Sequence, residues 1–243
     1  MAQLKPSDRR RPSGRRALLL LAAAAFCLRA ASGLAAEALI VDWVPDGDTL
    51  IVQSGESVRL KGIDAPETAH DGRRGQFHAR ASRRVLASLV RDRELEFSDA
   101  QKVARDRYGR LLAAVRLPDG RLLNRVLIER GAAYYYPHEG LEEALGSLLL
   151  RAQRKAMQRG TGFWPDLLAC ATAREHYTGH RGSGRFHSGD CGFGRRIGRE
   201  NRIDLSGLRE AFRKGYAPCR KCTPWPEGLQ RDANLHSEKE ARP

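Results

Sequence analysis

Three short strand-like runs follow one another early in the chain, and acidic residues lie in the turns that join them. Residues 38–41 and 49–52 are rich in β-branched side chains, and residues 57–60 alternate between apolar and polar positions. Both patterns favour β-strands. The sequence therefore predicts a three-stranded meander that carries Asp48 and Asp64 near its turns.

The side chains around these turns suit chemistry on a phosphodiester. Asp48 and Asp64 offer the hard oxygen ligands that Ca²⁺ or Mg²⁺ takes, and the planar fork of Arg59 matches phosphate oxygens. Glu67 follows a proline and could orient or deprotonate a water, while Arg110 heads a later strand-like run and supplies a second cationic donor. The combination indicates metal-assisted attack on a phosphodiester.

Three motifs in order resemble the staphylococcal (micrococcal) nuclease, or thermonuclease-like, family. They are DGDT at 46–49, VRLKGIDAPE at 58–67 and DRYGRLLA at 106–113, within a resemblance that runs from about residue 38 to residue 164. The resemblance implies an α+β fold, namely a five-stranded OB-fold β-barrel with packed helices. It also implies Ca²⁺ dependence and cleavage of both DNA and RNA with little sequence preference, leaving 3′-phosphate ends.

The resemblance also assigns roles residue by residue. By this resemblance the calcium ligands are Asp48, Asp64 and the backbone carbonyl of Ala65, and Asp46 supports these ligands without binding the ion directly. Arg59 and Arg110 become the phosphate-gripping and transition-state arginines, and Glu67 the residue that activates water. The family places substrate-stacking tyrosines downstream of its second arginine, and the register of residues 134–136 against them is left open.

A non-catalytic reading of the same residues is the alternative. Asp-Gly is a common hairpin signal, and barrels of this class also serve as nucleic-acid-binding modules. A secreted binding module with an inactive barrel is therefore the second hypothesis. The joint presence of Asp48, Arg59, Asp64, Glu67 and Arg110 favours the enzyme, an endonuclease.

Helices are expected to pack on the barrel. Apolar residues recur at helical spacing over residues 76–90, and residues 123–129 and 141–157 also have helical patterns that end near glycines. Residues 95–97 and 110–116 resume strand character.

The amino terminus has the pattern of a secretory signal peptide. Six basic residues precede a 12-residue apolar run at 17–28, and small residues follow through position 36. The run is shorter than the roughly 20 residues of a transmembrane helix. We expect cleavage near residue 36 and a secreted or periplasmic protein without stable membrane association; an uncleaved anchor is the alternative.

The charge balance favours polyanionic partners. The formal net charge is +14, and the first 36 residues hold seven basic residues and one acidic residue, so about +8 remains on the mature chain. A basic surface attracts DNA and RNA without sequence specificity. We expect a monomer whose nuclease domain spans residues 37–166.

The C-terminal region carries a second pattern. The composition of residues 167–184 predicts a linker. Beyond it we expect a small module at 185–226 and a flexible tail at 227–243. The module has the residue types and spacing of a tetrahedral zinc site, with the candidate ligands His187, Cys191, Cys219 and Cys222. The segment resembles an Ada-type metal-binding domain, although His187 stands where that family has cysteine. The alternative is a pair of disulfides that includes Cys170, since exported thiols tend to oxidise.

Overall fold

The structure is a computed structural model that describes residues 38–69, 74–99, 103–138, 140–222 and 225. The described residues belong to one compact unit. The predicted signal peptide and C-terminal tail lie outside them. Among the helices that are described, none has both the length and the apolar character needed to cross a bilayer.

A mixed seven-stranded sheet forms the first half of the molecule. Its core is the predicted meander, in which β1 pairs with β2 and β2 with β3, both antiparallel. The strand order is β6-β7-β3-β2-β1-β5-β8. The strands are β1 (Leu39–Trp43), β2 (Thr49–Val52), β3 (Ser57–Leu60), β5 (Glu94–Phe97), β6 (Ala104–Arg105), β7 (Leu111–Ala113) and β8 (Val115–Arg116).

A separate two-stranded ribbon lies beside this sheet. It pairs β4 (Ile63–Asp64) with β9 (Tyr134–Tyr135), so that Asp64 faces Tyr134 across the ribbon. The pairing places Tyr134 and Tyr135 on the ribbon, while their correspondence to the substrate-stacking tyrosines of the family stays a prediction.

The first three helices agree with the helical patterns of the sequence to within a few residues, and the fourth was not predicted. They are α1 (Ala79–Val90), α2 (Leu123–Glu129), α3 (Glu143–Arg159) and α4 (Trp164–Ala169). Helix α3 ends at Gly160, whose φ of 63° is the left-handed conformation that a glycine adopts without strain. Buried side chains of α1 and α2, including Leu86 and Leu127, join the apolar core of the sheet.

The C-terminal region forms its own four-stranded sheet, in the order β12-β10-β11-β13. Its elements are β10 (Tyr177–His180), β11 (Arg185–Ser188), α5 (Gly192–Arg195), β12 (Arg202–Leu205), α6 (Leu208–Arg213) and β13 (Ala217–Pro218). The composition of residues 167–184 predicted a linker, but this interval contains the end of α4, a 3₁₀ turn and all of β10. Antiparallel pairing of β10 with β11 and β12 gives the interval regular structure that its polar composition does not indicate.

The C-terminal sheet shares an apolar core with the nuclease-like part of the chain. The rings of Trp164 and Phe212 pack edge to face with their centres 5.0 Å apart. The centre of the Phe212 ring also lies 5.8 Å from that of Tyr134 and 5.4 Å from that of Phe186. Trp164, Phe186 and Phe212 are fully buried. The C-terminal region is thus packed against the rest of the fold, not tethered to it.

Candidate active site

Two aspartates and an arginine form a buried ionic cluster at the edge of the meander. Asp48 immediately precedes β2, Arg59 lies on β3 and Asp64 ends β4. The Arg59 Nη2 atom is 3.0 Å from Asp48 Oδ2 and 2.5 Å from Asp64 Oδ1. All three residues are less than 7% exposed. The structure therefore brings together three of the residues that the sequence singled out.

Backbone and side-chain groups hold the two carboxylates in place. The Ala65 amide donates to Asp48 Oδ2 at 2.7 Å, and the Thr49 hydroxyl donates to Asp48 Oδ1 at 3.1 Å. The Tyr134 hydroxyl donates to Asp64 Oδ2 at 2.9 Å. Ala65 thus lies against the cluster, although the role of its carbonyl stays a prediction.

The turn before Asp48 requires a glycine. A Cβ atom on Gly47 would lie 2.7 Å from the Cβ of Ala65 and 2.8 Å from the Cβ of Ser82. Asp46, at the start of the same turn, accepts a hydrogen bond from the Asp48 amide at 3.0 Å. This contact agrees with the expected supporting role of Asp46.

The electrostatics of the cluster leave its carboxylates incompletely neutralised. Burial raises the pKa of Asp48 well above its ordinary value, and the negative charges of Asp46, Asp64 and Glu67 raise that pKa further, although Arg59 opposes them. Burial by itself lowers the pKa of Arg59, but the two aspartates outweigh it and the net shift is upward. Crowded carboxylates of this kind are relieved by a cation.

Glu67 belongs to the same electrostatic group. Its backbone is held on both sides by Gln76, whose side-chain oxygen accepts the Glu67 N–H at 2.9 Å and whose amide donates to the Glu67 carbonyl at 2.8 Å. Burial raises the pKa of Glu67, and the charges of Asp64 and Asp46 raise it further. A carboxylate with a raised pKa is better suited to take a proton near neutral pH.

Arg110 has other partners in the structure. Its Nε and Nη2 atoms donate to Asp106 Oδ2 at 2.8 and 2.7 Å, and its guanidinium lies 5.4 Å from the ring centre of Tyr108. The parallel pairing of β7 with β3 places Arg110 one position before the residue that faces Val58. Its predicted role at the phosphate stays a prediction.

One arginine of the C-terminal region reaches this site and a second lies near it, and the sequence reasoning missed both. Arg220 Nη2 lies 3.4 Å from Asp64 Oδ1. The guanidinium of Arg185 lies 3.4 Å from the ring centre of Tyr136 and donates to the Pro137 carbonyl at 3.3 Å. The only sequence signal was the position of Arg220 inside the Cys-x-x-Cys turn, which the zinc interpretation treated as a spacer.

The four predicted zinc ligands come together in the structure. The donor atoms of His187, Cys191, Cys219 and Cys222 all lie within 4.8 Å of one another, and within the part of the chain that the structure describes they are the one such group of three or more. Burial lowers the pKa of His187, which favours the neutral imidazole that binds metals. Three thiols and one imidazole are a donor set that zinc prefers in structural sites.

The disulfide alternative is not what the structure shows. Cys170 and the three cluster cysteines are free thiols. Cys170 lies outside the cluster, and its thiol contacts the Leu167 carbonyl at 3.0 Å and the Thr172 hydroxyl at 3.2 Å. The other three sulfur atoms lie close together. This arrangement favours a metal site over two disulfide bridges.

Comparison with known proteins identifies the class of enzyme. The family model described as "Staphylococcal nuclease homologue" matches residues 57–166. A protein of Escherichia coli O157:H7 named "Uncharacterized endonuclease" is 35% identical over 126 residues, which cover 51% of this chain and 74% of the relative. The "Probable endonuclease lcl3" of Aspergillus flavus is 34% identical over 118 residues, covering 44% of this chain and 43% of the relative.

A third relative has a different name. The "Succinoglycan biosynthesis protein ExoI" of Rhizobium meliloti is 35% identical over 129 residues, covering 50% of this chain and 61% of the relative. The chain belongs to the staphylococcal nuclease homologue family. It is an endonuclease of this type, and its Cys/His cluster lies beyond the residues that the family model matches.

Proposed function

We propose that this protein is an exported, calcium-dependent nuclease that hydrolyses the phosphodiester bonds of DNA and RNA with little sequence preference. The observation that carries the proposal is the buried cluster in which Arg59 bridges Asp48 and Asp64 beside Glu67. We further propose that the seven-stranded sheet contains the OB-fold barrel of the family, because the predicted meander forms its centre.

The chemistry of the donor set fits a hard divalent cation. Asp48 and Asp64 are carboxylates held by fixed partners; burial and, to a smaller extent, neighbouring carboxylates raise the pKa of Asp48, and a bound Ca²⁺ would stabilise its charged form. We propose that these two carboxylates and the Ala65 carbonyl hold the ion. When bound, Ca²⁺ supplies Lewis-acid stabilisation of charge on the phosphate.

The protein's own residues perform the remaining work in this proposal. Glu67 accepts a proton from the attacking water, because its raised pKa makes it a stronger base than an exposed glutamate. Arg59 donates to a non-bridging phosphate oxygen. Its Nη1 atom is directed at the carbonyls of Asp48 and Leu60 at 3.5 and 3.2 Å, so the guanidinium is fixed before substrate arrives. Arg110 is the proposed second phosphate donor.

The C-terminal cluster is proposed to bind structural zinc. Its four donor residues would supply all the ligands of a tetrahedral zinc ion, which is typical of structural and not catalytic zinc. That this region is of Ada type remains our proposal, supported by the helix α6 that precedes the Pro-Cys-x-x-Cys turn. Metal analysis of the purified protein should find about one zinc ion per chain, the content of one such site.

Hydrolysis assays test the main proposal. Single-stranded DNA and RNA are incubated with the protein beginning at Glu37, in Ca²⁺ or in EGTA. The Glu67→Gln variant removes the proposed base, and Glu96→Gln makes the same change at an exposed position on β5 as a control. We expect Ca²⁺-dependent cleavage of both substrates, an unchanged rate for the control and a loss of about 10²–10⁴-fold for Glu67→Gln.

Different outcomes separate the parts of the proposal. Cleavage of one nucleic acid alone would refute the broad substrate range, and equal rates in EGTA would refute calcium dependence. A Glu67→Gln rate equal to that of the parent would remove the role of Glu67. For export, N-terminal sequencing of protein recovered outside the cytoplasm should begin near residue 37; an intact Met1 would contradict cleavage.

A further inference from the structure

The turn that carries two of the cluster cysteines also carries an arginine into the active site. Arg220 lies between Cys219 and Cys222, and its Nη2 atom is 3.4 Å from Asp64 Oδ1, although the two residues are 156 positions apart. The Arg220 side chain is 49% exposed, whereas that of Asp64 is 4% exposed. Arg220 thus contacts the buried acidic cluster from the solvent side, where a substrate would approach.

A second arginine of the C-terminal sheet strengthens this positive edge. The guanidinium groups of Arg185 and Arg220 lie 3.4 and 5.7 Å from the ring centre of Tyr136. Tyr136 is itself fixed to the active-site ribbon, because its amide donates to the Gly62 carbonyl at 2.9 Å. Arg185 Nη1 is buried with no hydrogen-bond partner among the described residues. This edge therefore has a hydrogen-bond donor, Arg185 Nη1, that is free to bind a substrate.

The Cys/His cluster adjoins this edge. Arg185 is two positions before His187 on β11, and β11 pairs in parallel with β13, so that Arg185 faces Ala217. The Cys219 amide donates to the Phe186 carbonyl at 2.9 Å. A metal ion that joins His187, Cys219 and Cys222 would close the turn on which Arg220 is carried.

We propose that Arg220 binds a phosphate group of the nucleic-acid backbone beside Asp64, and that zinc in the Cys/His cluster holds Arg220 in that position. The inference rests on the proposed nuclease function. A guanidinium fork matches phosphate oxygens, and its half-exposed position lets it exchange the 3.4 Å contact with Asp64 for the substrate. The C-terminal region is then part of the substrate site.

The first experiment measures substrate binding without turnover. In the Glu67→Gln background with Ca²⁺, the affinity for a single-stranded oligonucleotide is measured against salt concentration. Because log K falls as log salt rises, Arg220→Ala should reduce the magnitude of this negative slope by about 0.7, the value for one lost phosphate contact on a single strand. Lys221→Ala removes the same charge from the same turn at an exposed position and should change the slope less.

Hydrolysis by the otherwise unchanged enzyme gives a second readout. Arg220→Ala should lower kcat/KM by about tenfold, less than a fully buried donor because Arg220 is half exposed. Arg220→Lys keeps the charge but loses the fork, so it should recover part of the loss. Folding is checked by thermal unfolding, which a half-exposed ion pair should scarcely alter.

The role of the cluster is tested by a double-mutant cycle. Cys222→Ser removes one ligand, and Cys170→Ser is the control because Cys170 lies outside the cluster. If the cluster acts through Arg220, Cys222→Ser should lower both zinc content and oligonucleotide affinity in the parent, yet lower affinity little further in the Arg220→Ala background. Thermal unfolding shows whether Cys222→Ser is still folded, and Arg220→Ala tests the contact if it is not.

The outcomes distinguish this inference from the function on which it rests. No hydrolysis by the parent in the presence of Ca²⁺ would refute the nuclease proposal. An active parent with unchanged slope and kcat/KM in Arg220→Ala would refute the phosphate contact alone. Faster hydrolysis by that variant would also refute it, because Arg220 would then obstruct Asp64. Additive losses in the cycle would refute the positioning role of the cluster.

Discussion

A buried glutamine joins the C-terminal region to the nuclease-like part of the fold, and its replacement should be costly. Gln153 on α3 is fully buried. Its Oε1 atom accepts the Tyr135 N–H of β9 at 2.7 Å, and its Nε2 atom donates to the Phe212 carbonyl of α6 at 2.7 Å. Gln153→Met keeps the length and helix propensity of the side chain but removes both hydrogen bonds.

The expected loss of stability follows from the backbone group that Gln153→Met leaves without a hydrogen-bond partner. A buried polar group deprived of its hydrogen bond costs about 1–3 kcal/mol. The Tyr135 amide of a half-buried residue would lose its acceptor, whereas the Phe212 carbonyl would keep the hydrogen bond from the Gly215 amide at 3.1 Å, so we expect Gln153→Met to lower the free energy of unfolding by about 1–3 kcal/mol. Gln158 is exposed on the same helix, and Gln158→Met should change it by less than about 0.5 kcal/mol.

Urea unfolding monitored by tryptophan fluorescence and by circular dichroism measures these values. Because the shared core joins both parts of the molecule, we expect coincident transitions for the parent with the two probes. A loss below about 0.5 kcal/mol for Gln153→Met would refute the argument that these two hydrogen bonds support the packing. Two separate transitions for the parent would instead show that the C-terminal region unfolds independently.

Two further predictions concern a backbone turn and an ionised side chain. Gly47→Ala should lower both thermal stability and nuclease activity, since the new Cβ would come within 2.8 Å of Ala65 and Ser82 and displace Asp48; normal activity in a hydrolysis assay would contradict this. Hydrogen bonds from Lys214 and Ser206 lower the pKa of Glu210 to about 2. The stability that ionised Glu210 contributes is therefore present above the pKa that Glu210 has in the unfolded chain, and it is lost as pH falls from about 4.5 towards 2. Glu210→Gln should therefore lose less stability than the parent between pH 5 and pH 3 in denaturant titrations, and equal losses would contradict the assignment.

The sequence by itself determined the local parts of this protein. The β2–β3 hairpin and helix α2 follow from periodicity, because neighbours along the chain decide alternation and helical spacing. Asp48, Arg59 and Asp64 fall within 17 positions on consecutive strands, so a short meander is enough to bring them together. The four proposed zinc ligands could also be recognised in the sequence, since their residue types and spacing carry the coordination chemistry.

Only the tertiary structure decided which distant groups meet. The pairing of β4 with β9 fixed Tyr134 on Asp64, and β10 gained its strand partners from residues later in the chain. Arg220 reaches Asp64 across 156 positions because the C-terminal sheet shares an apolar core with strand β9 and helices α3 and α4. Such contacts depend on packing between elements. No local pattern in a single sequence tells which side chains far apart along the chain will lie close together in the fold.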